Sequence, residues 1–142
     1  MIDYVIKNNK TYAIIIRSKF SFDGIKFFTP ENYSQQLGYM KRKSGYKIMP
    51  HIHNPIIREV ELTQEVLVIK SGKVRVDFYD DKKEYFESQV LNQSDVILLA
   101  YGGHGFEMLE ETEMIEIKQG PYSIYKDKIK FQSISEKNIK IR

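Results

Sequence analysis

Glu65-Val66-Leu67-Val68-Ile69-Lys70-Ser71-Gly72-Lys73-Val74-Arg75-Val76-Asp77-Phe78-Tyr79 is the stretch that decides the fold class. Its second half alternates charged and apolar side chains with a period of two, the mark of a strand with one face buried. Its first half is a shorter apolar strand, and Ser71-Gly72 between them reads as a hairpin turn. Downstream, Asp80-Asp81-Lys82-Lys83 is a turn, Tyr85 to Leu91 a strand, and Asn92-Gln93-Ser94-Asp95 a loop. Val96 to Ala100 reads as a buried strand and Tyr101-Gly102-Gly103 as a tight turn. His104 to Leu109 and Met114 to Lys118 complete the series. Upstream, Tyr12 to Arg17, Ile25 to Phe28 and Leu37 to Lys43 are strand-like. Many short strands separated by Gly and Asp turns predict an all-β sandwich or barrel. Helical periodicity leaves room for at most one short helix, in Pro30 to Gln36 or near the C-terminus.

With 142 residues, 42% hydrophobic and 29% charged, the chain is expected to form one domain with a core of its own. Residues 38–118 form its centre, with an N-terminal arm (1–37) and a C-terminal tail (119–142). Such arms often pack on, or swap with, a partner in small dimeric β-proteins, so a homodimer is expected. The net charge is only +3. Glu107, Glu110, Glu111, Glu113 and Glu116 make an acidic stretch, and Lys126, Lys128, Lys130, Lys137, Lys140 and Arg142 a basic end. Without a nucleic-acid-binding module that end reads as a solvated tail, and neither nucleic acid nor membrane is an expected partner. Met1-Ile2-Asp3-Tyr4 lacks the basic start and apolar run of a signal peptide, and no apolar run is long enough to span a bilayer. The expected location is the cytoplasm. The chain contains no cysteine, so a metal here must use nitrogen and oxygen ligands.

All three histidines fall near the strands just described. His51 and His53, two apart, would share one face of a strand. Glu65 opens a strand whose same-face neighbours are Leu67 and Ile69. His104 follows the Gly102-Gly103 turn, with Phe106 and Met108 on its face. Glu107, out of phase with them, should point outward. These residues resemble the motifs of the cupin superfamily. The first motif is Gly, five residues, His-x-His, a short gap, Glu, six residues and Gly, matched by Gly45, His51, His53, Glu65 and Gly72. Ser94-Asp95, Val96 to Leu99, Gly102-Gly103 and His104 resemble the second. The resemblance covers about residues 38–118. It implies a single-domain jelly-roll-type β-barrel, commonly dimeric, with one divalent metal held by His51, His53, Glu65 and His104. Zn, Fe, Mn and Ni all suit that donor set.

The chain departs from the pattern. Eleven residues, Asn54 to Gln64, separate His53 from Glu65 where the family has three or four. Glu61 or Gln64 is therefore an alternative fourth ligand. Ala100 stands near the usual proline and Met108 at the usual asparagine. Within the inserted loop, Arg58 is a candidate anion clamp for carboxylate or phosphate. Tyr46, Tyr39 and Tyr101 lie near the motifs, and Tyr46 is the candidate acid among ten tyrosines. Lys118-Gln119-Gly120-Pro121-Tyr122 reads as a strand end at the barrel rim.

His51-Ile52-His53-Asn54-Pro55 followed by Thr63-Gln64-Glu65 resembles small cupins of bacterial surface-polysaccharide and sugar-nucleotide pathways. The resemblance implies an isomerase or epimerase acting on a sugar or other anionic metabolite. A metal-free alternative resembles sugar-nucleotide 3,4-ketoisomerases, with His51 and His53 as the acid/base pair and Gln64 beside them. An Fe(II) dioxygenase and a non-catalytic ligand-binding barrel are the other readings.

Overall fold

The computed structural model describes residues 1–121, 123 and 128–142. Its strands follow the chain as β1 (Ile2–Lys7), β2 (Lys10–Ile16), β3 (Gly24–Phe27), β4 (Gly38–Lys41), β5 (Glu65–Ser71), β6 (Lys73–Tyr79), β7 (Tyr85–Asn92), β8 (Val96–Leu99), β9 (Gly103–Met108) and β10 (Glu113–Lys118). The helical content among the described residues is one 3₁₀ turn, Glu136–Asn138. The protein is thus all-β. One sheet has the order β1-β2-β8-β5-β10, a second the order β7-β6-β9, and β3 with β4 forms a hairpin. All these pairings are antiparallel.

Turn chemistry sets the register. Asn8 and Asn9 take positive φ (51° and 60°), the conformation a two-residue hairpin between twisted strands requires. β1 is therefore a member of the five-stranded sheet, where the sequence suggested a flanking arm. Gly72 turns β5 into β6 at φ 81°, and a Cβ there would run into the backbone of Glu111 and Thr112.

The two larger sheets face one another across the main core. Val5, Tyr12, Ala13, Ile15, Leu67, Ile69, Ile97 and Leu99 come from one, and Val74, Val76, Phe78 and Leu91 from the other. Period two places these side chains inward and their neighbours outward. A second apolar cluster lies on the outer face of the five-stranded sheet, where Leu37 and the partly buried Phe20, Phe28 and Tyr39 cover Ile14, Ile16 and Leu98. The β3–β4 hairpin continues this cover. The sheets do not close into a barrel among the described residues, because β9 pairs only with β6 and β10 only with β5.

Two expectations change on the outer face of β6. The alternation of Lys73 to Tyr79 predicts a solvated outer face, yet Arg75 and Asp77 are both buried. The cause is the C-terminal segment, which is not a solvated tail. Phe131 packs edge-on against Tyr79, with ring centroids 5.1 Å apart, and the Ile134 N–H donates to the Tyr79 hydroxyl at 2.9 Å. Arg75 donates to both Glu136 oxygens at 2.9 Å, and to Asp77, which also accepts from Ser88 Oγ at 2.6 Å. The pairing lets the charges be buried. Ile141 forms a parallel bridge to Ser88 on the outer edge of β7. Glu107 does point outward, as expected, and pairs with Arg75 at 2.6 Å. Tyr122 and Lys126 lie outside the described residues.

Candidate functional site

A cleft of about 720 Å³ opens where four strands begin or end. Glu65 starts β5, Lys118 ends β10, Tyr79 ends β6 and Gly103 starts β9. Residues 61–63 form one wall and 128–131 another. Glu65 faces inward above Leu67 and Ile69 by strand alternation, and Lys118 is its cross-strand partner on β10. His104 lies opposite Phe78 on β6, so it faces inward from the other sheet. The turn before it fixes its position. Gly102 takes φ 71° where a Cβ would strike the Tyr12 ring and the Tyr79 carbonyl, so only glycine fits.

The two inward residues meet. His104 Nε2 donates to Glu65 Oε2 at 3.1 Å, with both side chains mostly buried. When the ring is neutral, donation from Nε2 leaves the lone pair on Nδ1. The bond also holds the Glu65 carboxyl below its ordinary value of 4.5. Burial opposes that shift, while the charges of His104, Lys128 and Lys118 add to it. Lys118, Lys128 and Lys130 line the cleft with Gln119, so an ionised carboxylate lies among cations. The site can accept an anionic ligand and move a proton through His104.

The remaining expected site residues lie elsewhere. Residues 42–64 form no strand, so His51 and His53 do not share a strand face. Pro50 and Pro55 flank the pair, and each lacks the N–H that a ladder needs. The two rings contact one another at 5.3 Å, and His51 Nδ1 lies 3.0 Å from the Met49 carbonyl oxygen. Both histidines are exposed, as are Arg58 and Tyr46, and none of the four lines the cleft. Tyr46 instead lies against the Arg42 guanidinium.

Gln64 is buried and committed to structure. Its Oε1 accepts from Ser34 Oγ at 3.1 Å and from the Gln35 N–H at 3.0 Å. Glu61 lines the cleft wall. Among the described residues no group of three His, Asp or Glu side chains is placed to hold a metal ion. The four-donor shell that the resemblance implies is therefore represented by only two adjacent donors, Glu65 and His104. Sequence reasoning missed Lys128, Lys130 and Tyr79 as cleft residues. Lys118 was placed at the rim without a role, and its spacing from Glu65 carries no local signal.

A second cleft, of about 750 Å³, lies on the far side of residues 61–64 and is lined by Tyr33, Ser34, Gln64 and Tyr101 among others. Among the described residues no helix is long and apolar enough to cross a membrane. No family model, no curated protein and no solved structure matches the chain.

Proposed function

We propose that this protein is a cupin-type enzyme that moves a proton on an anionic, carbohydrate-type metabolite, a sugar or sugar nucleotide, as an isomerase or epimerase does. The observation that carries the reading is the hydrogen-bonded Glu65–His104 pair in a cleft lined by Lys118, Lys128 and Lys130. A carboxylate that holds one imidazole nitrogen prepares the other as a general base. In an isomerisation, His104 Nδ1 takes the proton from the carbon beside a carbonyl. The C–H electron pair becomes the new C=C bond, and the carbonyl π pair moves to oxygen, where a lysine ammonium stabilises the charge. Transfer of the hydroxyl proton to that oxygen, and return of the carbon-bound proton to the neighbouring carbon, completes the exchange. The inward apolar floor of Leu67, Ile69 and Phe78 excludes water from beneath the pair.

A divalent metal held by His51, His53, Glu65 and His104 would need two ligands that lie on the exposed segment. The metal-free reading is supported by the same geometry, with the acid/base role at His104 and Glu65 in place of His51, His53 and Gln64.

The test is proton exchange in deuterated water with nucleoside-diphosphate ketohexoses as probes, followed by NMR. Wild type is expected to wash deuterium into the carbon beside the carbonyl. His104→Ala is expected to lose about 10²–10⁴ of that rate. Equal exchange in both proteins would remove His104 from the chemistry. Elemental analysis of wild type and His53→Ala is the companion measurement. About one metal per chain, lost in the variant, would replace the metal-free reading with the four-ligand site.

A further inference from the structure

The second cleft holds a polar group that the fold does not use. Gln64 is buried, with 5% of its surface exposed. The Gln35 N–H can only donate, so the atom it meets at 3.0 Å is the Gln64 side-chain oxygen, and the other end is the NH2 group. That NH2 group carries two donors and has no acceptor among the described residues. Yet no buried side-chain nitrogen or oxygen among them is sealed off without a partner. The NH2 group therefore opens to the cleft of about 750 Å³ that Gln64 lines. A donor fixed in place and left unused by the protein is set for an acceptor on a ligand.

The rest of the lining has the chemistry of a sugar site. The Tyr101 hydroxyl accepts from Lys10 Nζ at 2.8 Å and keeps its own O–H to donate. Asn32 adds an amide, and Glu59 adds a carboxylate acceptor. Tyr33, Val60 and Leu62 add the apolar surface that suits the C–H face of a pyranose. The volume falls within the roughly 300–1,000 Å³ of small-molecule sites. Charge distinguishes the two clefts. The first gathers Lys118, Lys128 and Lys130 against Glu61 and Glu65, whereas the second has Lys10 against Glu59 and Glu61. Mixed donors and acceptors without an excess of cations favour a neutral polyol over an anion.

The two clefts are also joined. Glu61 and Leu62 line both. A smaller cavity of about 70 Å³ lies between them, lined by His104 from the first and Tyr101 from the second. One hydrogen-bonded set holds the pair in register. Gln119, which lines the first cleft, accepts from the Gln64 N–H at 2.8 Å and donates to Ser34 Oγ at 2.7 Å. Ser34, in the second, donates to Gln64 Oε1 at 3.1 Å.

We propose that the second cleft is a subsite for a neutral pyranose, bonded by the Gln64 NH2 group and the Tyr101 hydroxyl, and that it takes the sugar residue next to the anionic one in the Glu65–His104 cleft. The molecule bound is then at least a disaccharide, and its linkage crosses Leu62, which is 52% exposed. The place of the anionic residue rests on the function proposed above, while the neutral subsite stands on its own geometry.

The probes are the methyl glycosides of glucose, galactose, mannose, rhamnose and N-acetylglucosamine, each titrated into the isotope-labelled chain and followed by NMR. At least one is expected to shift the Gln64 side-chain NH2 signal together with the backbone signals of Ser34 and Tyr101, and to saturate. Gln64→Glu keeps the acceptor for Ser34 and Gln35 and removes the donor, so it is expected to weaken that binding about tenfold. Val60→Trp fills the cleft from its exposed wall and is expected to abolish it. No shift at Gln64 with any of these glycosides, or shifts confined to residues of the first cleft, would overturn the subsite. Binding that both variants leave unchanged would overturn it as well. The titration needs no turnover, so a wild-type chain that binds a glycoside here but exchanges no proton would count against the proposed function alone.

Discussion

Residues 18–41 and 42–63 adjoin in the chain and are similarly rich in large apolar side chains, yet one is folded onto the protein and the other is not. In the first, Phe20 meets Phe28 and Tyr39 edge-on at 5.5 and 5.1 Å, and Leu37 is buried against the five-stranded sheet. Gln36 Nε2 donates to the carbonyls of Pro30 and Tyr33, which ties off a turn. In the second, His51 bonds only to Met49 two residues away, and the apolar side chains point to solvent. Apolar composition therefore does not determine burial. What differs is whether the backbone polar groups have partners at the place where the side chains would be buried.

That contrast can be broken by mutation. Leu37→Ala should cost about 2–4 kcal/mol in urea-unfolding stability, because it opens a cavity beneath the folded segment. A loss under about 0.5 kcal/mol would mean that the segment is not part of the folded unit. Gln64→Ala should cost about 1–2 kcal/mol, since it removes the acceptor for Ser34 and the Gln35 N–H where the chain leaves the exposed segment and enters β5. Its effect should be matched by faster amide exchange at Gln35.

Acid denaturation sharpens the picture at the cleft. Glu65 has its folded value lowered below 4.5, so its stabilisation is complete above that pH and is lost as pH falls through the lowered value. Glu65→Gln should therefore flatten the pH dependence of stability on the acid side of 4.5, and midpoints of unfolding between pH 3 and 7 would show it. An unchanged slope would mean that His104 does not hold the carboxylate. The smallest expected effect is that of Ile57→Ser on the stability of the isolated chain, within about 0.5 kcal/mol. A larger loss, measured at concentrations too low for association, would show that the exposed segment is packed after all.

Most strands were legible because period two survives wherever one face is buried, as in Lys73 to Tyr79. The meeting of Glu65 and His104 followed from the same logic, since each lies in the first two residues of a strand with its side chain on the inward phase. Other features had no local signal. The six residues of β1 were hidden by the weakness of Asn-Asn as a hairpin mark compared with Asn-Gly. The burial of Arg75 and Asp77 depends on Glu136, and the cationic lining of the cleft depends on Lys128 and Lys130, all distant in sequence. The His51-x-His53 pair illustrates the opposite error. Its spacing promised a shared strand face, but spacing carries no information on whether Pro50 and Pro55 allow the strand.

Arg75 and Glu136 lie 61 residues apart in the chain. A ribosome therefore makes β6 with its guanidinium outward long before the carboxylate that receives it exists. Until residues 131–142 emerge, the outer face of the three-stranded sheet stays hydrated, and the edge of β7 stays available to other nascent chains. Closure by the C-terminal segment thus follows the synthesis of the sheet it covers, and in that interval the β7 edge is open to other strands.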